Sequence, residues 1–320
     1  MVQHYGDGKR QAPGARCLQT WKKGMVIIMK YRMRFGEKTY VAVCYGFVTF
    51  VCIVTLYPFL YLLSASLSSS ASVMRNDIVL FPKEFTLRAY EVVVKYKGIW
   101  LAYLNTIFYT AAGTLISLGL SILAAYPLSK KRWALHRPMG LFVVFTLWFS
   151  GGMIPFFLVM HNLKLTNSRL GILLYPAISA MYVIILRTHF QSLPASLEES
   201  AKLEGANDWQ ILRKIMVPLS KPVMAAIGLY YAIARWNSFF WESILLTDDS
   251  RAPVQVLLRR IILSSQLGQD ISAALSRGEA SIPVTIKFAA IIITTLPIIV
   301  LYPFFQKYFV SGALVGSVKE

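Results

Sequence analysis

The sequence predicts an all-α integral membrane protein with six transmembrane helices, and composition, run length and charge placement each point that way. Of 320 residues, 56% are apolar and only 15% charged, with a mean hydropathy of +0.54, a balance that a water-soluble domain of this size seldom has. Six apolar runs follow residue 38, at 40–63, 101–128, 139–160, 170–186, 223–245 and 284–305. Each is near the ~20 residues with which a helix crosses a ~30 Å hydrocarbon core. With the N-terminus in the cytoplasm, the connecting segments put twenty Lys and Arg inside and eleven outside, which obeys the positive-inside rule although Lys95 and Lys97 sit beside an outer span end. Both termini are then cytoplasmic. The surplus of 33 Lys and Arg over 15 Asp and Glu follows from that topology. No basic-aromatic module accompanies it, so lipid is an expected partner and nucleic acid is not.

Residues 1–38 form a basic, turn-rich cytoplasmic tail too polar for a core. Its apolar stretch Met25-Val26-Ile27-Ile28-Met29 is too short to span or to act as a signal core, and Met25, Met29 and Met33 are alternative starts. Residues 39–320 form the six-span domain. Two long segments lie outside, 65–100 and 247–283. Thr86 suits the cap of a short interfacial helix in the first, and Trp100 suits the water-lipid boundary. The second alternates charge with the apolar stretch 254–258 and is expected to be partly helical. Either segment fits a docking surface for an external protein or a plain solvated loop.

Several spans are punctuated. Ser150-Gly151-Gly152-Met153-Ile154-Pro155 interrupts the third, and Tyr175-Pro176 and Leu296-Pro297 bend the fourth and sixth. Freed backbone groups at membrane depth need a protein or water partner, so such breaks fit a lined pathway, and glycines fit close helix packing equally. The fifth span contains Tyr231, Arg235, Trp236 and Asn237. An arginine at the bilayer centre costs roughly 2.5–3.5 kcal/mol on insertion scales, so Arg235 belongs in a polar interior or near an interface. These four, with Asn105 in the second span, have the apolar faces and hydrogen-bonding groups that a carbohydrate pathway needs. An interfacial aromatic belt accounts for neighbouring Trp241 as well as sugar stacking does.

Between the fourth and fifth spans, at about 194–222, lies a polar loop that reads as two short helices with a hinge. Ser196 and Glu199 have the spacing of a capping box, and Asn207 and Gln210 repeat it. Gly205 between them supplies the left-handed residue that ends the first helix. The second helix carries Trp209, Leu212, Ile215 and Met216 along one side until Pro218 stops it. On pattern alone this knuckle is equally a loop folded back on its own protein.

The usual catalytic signatures are missing. Gly6-Asp7-Gly8-Lys9-Arg10 lacks the spacing and the Ser or Thr of a phosphate-binding loop. There is no HExxH, no GxSxG and no pair of carboxylates within the spans, the acids gathering in the knuckle and outer loops. Cys17, Cys44 and Cys52 make no disulfide or metal pattern, and the four histidines are scattered singly. The chain is therefore not expected to be an enzyme, and it binds no cofactor of its own.

Glu199-Ser200-Ala201, Glu204-Gly205-Ala206, Ile215 and Pro218 resemble the EAA loop of ABC importer permeases, with Ser200 replacing the usual first alanine. Tyr57-Pro58-Phe59, Tyr103-Leu104-Asn105-Thr106, Ala125-Tyr126-Pro127-Leu128-Ser129, the Ser150–Pro155 stretch, Trp236-Asn237-Ser238 and Gly312-Ala313-Leu314-Val315-Gly316 extend the likeness over most of the chain after Tyr40. It is similar to binding-protein-dependent (maltose-type) carbohydrate permeases, in particular the LplC/YtcP type for polysaccharide-derived sugars. The resemblance implies the type I importer permease fold, with the knuckle as a cytoplasmic coupling helix in a bacterial plasma membrane. It implies a second related permease, two ATPase subunits carrying ATP and Mg, and an extracellular sugar-binding protein as partners. The EAA residues would then couple to the ATPases, Glu199 as anchor and Gly205 as bend. Without the resemblance, an ATP-independent carrier or channel and a non-transporting membrane scaffold also fit the residues.

Overall fold

A helix buried in lipid satisfies its own backbone, and every regular element in the computed structural model, which describes residues 35–263 and 284–300, is helical. The alternative starts in the tail, the segment 264–283 and the end of the sixth run lie outside the described residues. The chain divides into two units after Phe59. In the first, the helix α1 (Phe35–Ser66) begins. Its side chains Val43, Phe47, Phe50 and Ile53 are exposed, as are Cys44 and Cys52, both free thiols.

The second unit starts at Leu60 and continues through α2 (Ser70–Met74), α3 (Arg88–Lys95) and α4 (Lys97–Ser129). Thr86 accepts a hydrogen bond from the Arg88 amide at 3.3 Å, at the start of α3. The 33 residues of α4, roughly 50 Å at 1.5 Å per residue, make it the longest strut of this unit. Large residues are buried towards its ends, Ile99, Tyr126 and Leu128, but its middle buries a mostly small stripe, Gly113, Ser117, Ser121 and Ala125 at four-residue spacing, while Leu104 and Leu115 face outward. That inversion of the soluble pattern is what a lipid solvent selects: apolar side chains gain nothing by leaving it, and small residues let helices approach. Packed against α4 are α8 (Ala180–Ser192) and α11 (Lys221–Asn237).

The remaining apolar runs are broken. The third becomes α5 (His136–Trp148) and α6 (Met153–Asn162), bent by 115°, with Gly152 at φ +84° in the turn. The fourth splits into α7 (Arg169–Leu174) and α8, leaving 175–179 outside helix. The fifth was expected as one helix but stops at Asn237 and resumes as α12 (Phe240–Leu245). No glycine or proline marks that last break; Asn237 and Ser238 carry short polar side chains that compete for backbone hydrogen bonds. Between α8 and α11 lie α9 (Ala195–Leu203) and α10 (Asp208–Leu219), and α10 meets α11 at 82°. A 3-10 turn (Asp249–Arg251), α13 (Val254–Leu263) and α14 (Val284–Val300) complete the described chain, the last helical through Pro297.

By length and composition two single helices are long and apolar enough to cross a membrane, and four spans result if each bent pair is one. The chain is thus all-α with at least two apolar spans. Its buried clusters follow α4 along its length: Val92, Ile99, Val254 and Ile286 at one end, Tyr109, Ile172 and Leu245 midway, and Leu186, Ile211, Leu212 and Met216 at the other.

Candidate functional site

The knuckle is two helices joined by four residues. Pro194 precedes α9 with φ −58° and no side-chain cap forms, so the Ser196 and Glu199 box is not made. Proline presets the helical entry angle one residue early, and Ser196 falls inside the first turn instead of at its cap. The other end follows the expected grammar. Gly205 has φ +83°, its amide donates to Lys202 O at 2.9 Å, and the Ala206 amide donates to Ala201 O at 2.9 Å. This is the paired closure of a Schellman end, which needs a residue tolerant of positive φ. Asn207 then caps α10: its side chain accepts from the Gln210 amide at 2.8 Å, and Gln210 accepts from the Asn207 amide at 2.9 Å.

One side of this pair is anchored. Ala201, Ile211, Leu212 and Met216 are buried, whereas Trp209 is 60% exposed. A π-helical turn at Leu212–Met216 shifts the phase of the buried stripe. Glu198 accepts charge-assisted bonds from Lys130 at the end of α4 and from Lys202 one turn on. Arg132 lies 3.8 Å from Glu198 and 2.6 Å from Asp208, and Lys130 sits 4.6 Å above the Tyr126 ring. Burial pushes the Glu198 carboxyl up, but the hydrogen bonds and charges of Lys130 and Lys202 outweigh it and hold the group below its ordinary value. The opposite side shows no such ties among the described residues: Glu199, Ser200 and Glu204 are exposed, and Leu203 is 91% exposed. Of the other motif residues, Ala206 and Ile215 are half-buried and Pro218 is exposed.

Deeper in the unit, α11 and α4 enclose the break at 175–179. Arg235 donates to the carbonyls of Ile172, Leu173 and Pro176 at 3.2, 3.0 and 3.2 Å and to Ser117 Oγ at 3.0 Å. It is buried, and the buried Glu242 carboxylate is close enough to interact with its charge. One turn away, Tyr231 Oη accepts from the Ser179 amide at 2.9 Å and shares a 2.8 Å hydrogen bond with Ser121 Oγ. A fork with several donors suits orphaned carbonyls, and bonds to a charged donor contribute about 1.5–3 kcal/mol each.

The other pathway candidates are spread out. Asn105 is buried, donating to the carbonyls of Ser250 and Ala252 at 2.8 and 3.2 Å. Trp236 is buried near Tyr103, ring centroids 6.3 Å apart. Asn237 is exposed and donates to Ile233 O at 3.0 Å. Sequence reasoning missed three features. Glu198, and not the motif's Glu199, holds the ion-pair cluster. The four-residue repeat Gly113, Ser117, Ser121, Ala125 was readable as a packing face. Glu242, inside the fifth apolar run, is buried and accepts from Ser238 Oγ at 2.8 Å. Among the described residues no three His, Cys, Asp or Glu side chains group as metal ligands.

Outward apolar helices and spans braced internally where they break define a multi-pass membrane protein. Residues 98–314 match the family described as the binding-protein-dependent transport system inner membrane component, and the chain belongs to that family. It is 41% identical over 275 residues to the polygalacturonan/rhamnogalacturonan transport system permease protein YtcP of Bacillus subtilis (strain 168), covering 86% of this chain and 96% of that one. Protein LplC of the same organism is 37% identical over 270 residues, covering 83% and 90%. A crystal structure of a bacterial ABC transporter involved in the import of the acidic polysaccharide alginate has a chain 39% identical to this one. The match has a TM-score of 0.81 and covers 87% of this chain and 99% of that one.

Proposed function

We propose that this chain is a permease subunit of an ATP-driven carbohydrate importer in a bacterial plasma membrane, with six spans, cytoplasmic termini and the knuckle as its coupling element. The single observation that carries the reading is the two-sidedness of the knuckle: one side fastened to α4 through Glu198 and Lys130, the other offering Glu199, Leu203 and Glu204 outward. Such a face fits a cleft on another polypeptide, and family membership argues for an ATPase subunit there. ATP and Mg belong to two such subunits; a second permease and an extracellular sugar-binding protein complete the assembly. Closure of the ATPases pulls α9 and α10, and the 82° junction passes that movement to α11. Glu199, Ser200, Ala201, Glu204, Gly205, Ala206, Ile215 and Pro218 form the coupling element. Of the pathway candidates, Asn237 is the exposed one, whereas Asn105, Tyr231, Arg235 and Trp236 are buried.

The relatives named for polygalacturonan/rhamnogalacturonan and for alginate support an oligosaccharide bearing uronic acids as the cargo. The test is uptake by the reconstituted importer with its binding protein. Oligouronides should enter in an ATP-dependent way and neutral oligosaccharides should not. Gly205→Val should sharply reduce uptake while ATP hydrolysis continues, whereas Gly205→Asn, which tolerates positive φ, should retain most transport. Undiminished uptake with Gly205→Val, or sugar entry through the permease without ATPases, would sink the coupling role.

A further inference from the structure

We infer that Tyr231 and Arg235 are positioning residues for transport: together they fasten the broken fourth span to both α4 and α11, so that movement of α11 carries the segment 175–179 with it. The inference rests on the coupling reading above and adds the next link in the chain of motion. The break between α7 and α8 leaves carbonyls without helical partners at Ile172, Leu173 and Pro176, and an orphan amide at Ser179. At membrane depth water does not supply these partners cheaply. All four are met from α11, by two side chains one turn apart, the carbonyls by Arg235 and the amide by Tyr231. Each of those side chains also binds a serine on α4, Ser117 at 3.0 Å and Ser121 at 2.8 Å. Three segments distant in sequence thus share two polar rungs.

The rungs are closely fitted. A Cβ on Gly113 would run into the Arg235 guanidinium, so a side chain there is accommodated only by shifting that group off some of its four hydrogen bonds. A purely solvating arginine would need neither the glycine opposite nor a second rung. Because the contacts to 172–179 are directional, a tilt of α11 cannot leave the break behind without stranding buried polar groups, which is costly. The break and α11 therefore move as one body.

The experiment uses the complete importer in proteoliposomes, with sugar uptake and ATP hydrolysis measured together. Tyr231→Phe removes one hydroxyl and keeps the ring, and Gly113→Ala displaces the guanidinium while leaving Arg235 present. Both should lower sugar moved per ATP by roughly three- to thirtyfold, the scale of mutations that interrupt a coupled network. Hydrolysis stimulated by the loaded binding protein, and the concentration giving half-maximal uptake, should stay put while maximal uptake falls. Arg235→Lys retains charge without the fork and should behave like Gly113→Ala. If uptake and hydrolysis fall together in proportion to folded protein, the residues are merely structural and the inference is overturned; unchanged uptake in Tyr231→Phe and Gly113→Ala overturns it equally. Gly205→Val in parallel separates the two ideas. Normal transport there defeats the coupling reading, whereas uncoupling there with normal transport in Tyr231→Phe and Gly113→Ala defeats the bracket alone.

Discussion

Glu198 gathers Lys130, Lys202 and Arg132 around one carboxylate, so the attachment of α9 to the end of α4 depends on its charge. Glu198→Gln keeps the shape and loses the charge. Since the group is partly exposed and its ion pairs are screened, the substitution should cost about 1 kcal/mol and not the full value of buried charge-assisted bonds. Thermal unfolding of the purified protein measures this. The pH dependence has a definite sign. The folded protein holds this carboxyl below its ordinary value of 4.5, so its contribution is complete above about that pH and is lost as pH falls through its own lower value. Glu198→Gln should flatten that acid limb and leave the profile near neutrality parallel to that of the unaltered protein. An unchanged acid limb would remove Glu198 from the account.

At the scale of elements, the knuckle depends on local grammar. Asn207→Ala removes the cap at the start of α10 and should cost about 1 kcal/mol. Amide exchange at 208–211 should quicken while α9, closed separately by Gly205, keeps its protection; equal loss in both helices would mean that they form a single unit. Gly205, Asn207 and Gln210 were legible in the sequence because a cap is made by residues three or four apart. The turn at 149–152 was legible for the same reason, since glycine and proline write breaks directly into the chain. Ser196 misled because Pro194 imposes the helix start without any cap bond. The break after Asn237 has no such punctuation. Arg235 was recognisable as a residue needing polar company, but its hydrogen-bond partners lie 59 to 118 positions away in sequence, and no local pattern contains that information. Glu242 was hidden by averaging, one acid within a strongly apolar run.

For the whole molecule, the arrangement of charge makes an orientation testable. Twenty Lys and Arg on one side against eleven on the other commit the knuckle to the cytoplasm if the positive-inside rule holds over all six runs. Leu203 is 91% exposed, which makes it a sensitive reporter on the knuckle's free face, and Lys95 on α3 is an exposed reporter for the opposite side. In a background with Cys17, Cys44 and Cys52 replaced, Leu203→Cys should resist a membrane-impermeant maleimide in cells with an intact plasma membrane and react in inside-out vesicles. Lys95→Cys should do the reverse. When the ATPase subunits are present, labelling of Leu203→Cys should slow several-fold, because docking removes from water the same apolar surface that the isolated chain exposes. Rapid labelling at Leu203 from outside the membrane would invert the topology and separate the knuckle from any cytoplasmic motor. Labelling from inside, but at a rate indifferent to the ATPases, would retain the topology and move the docking surface elsewhere on the knuckle, with Glu199 and Trp209 the next positions to probe.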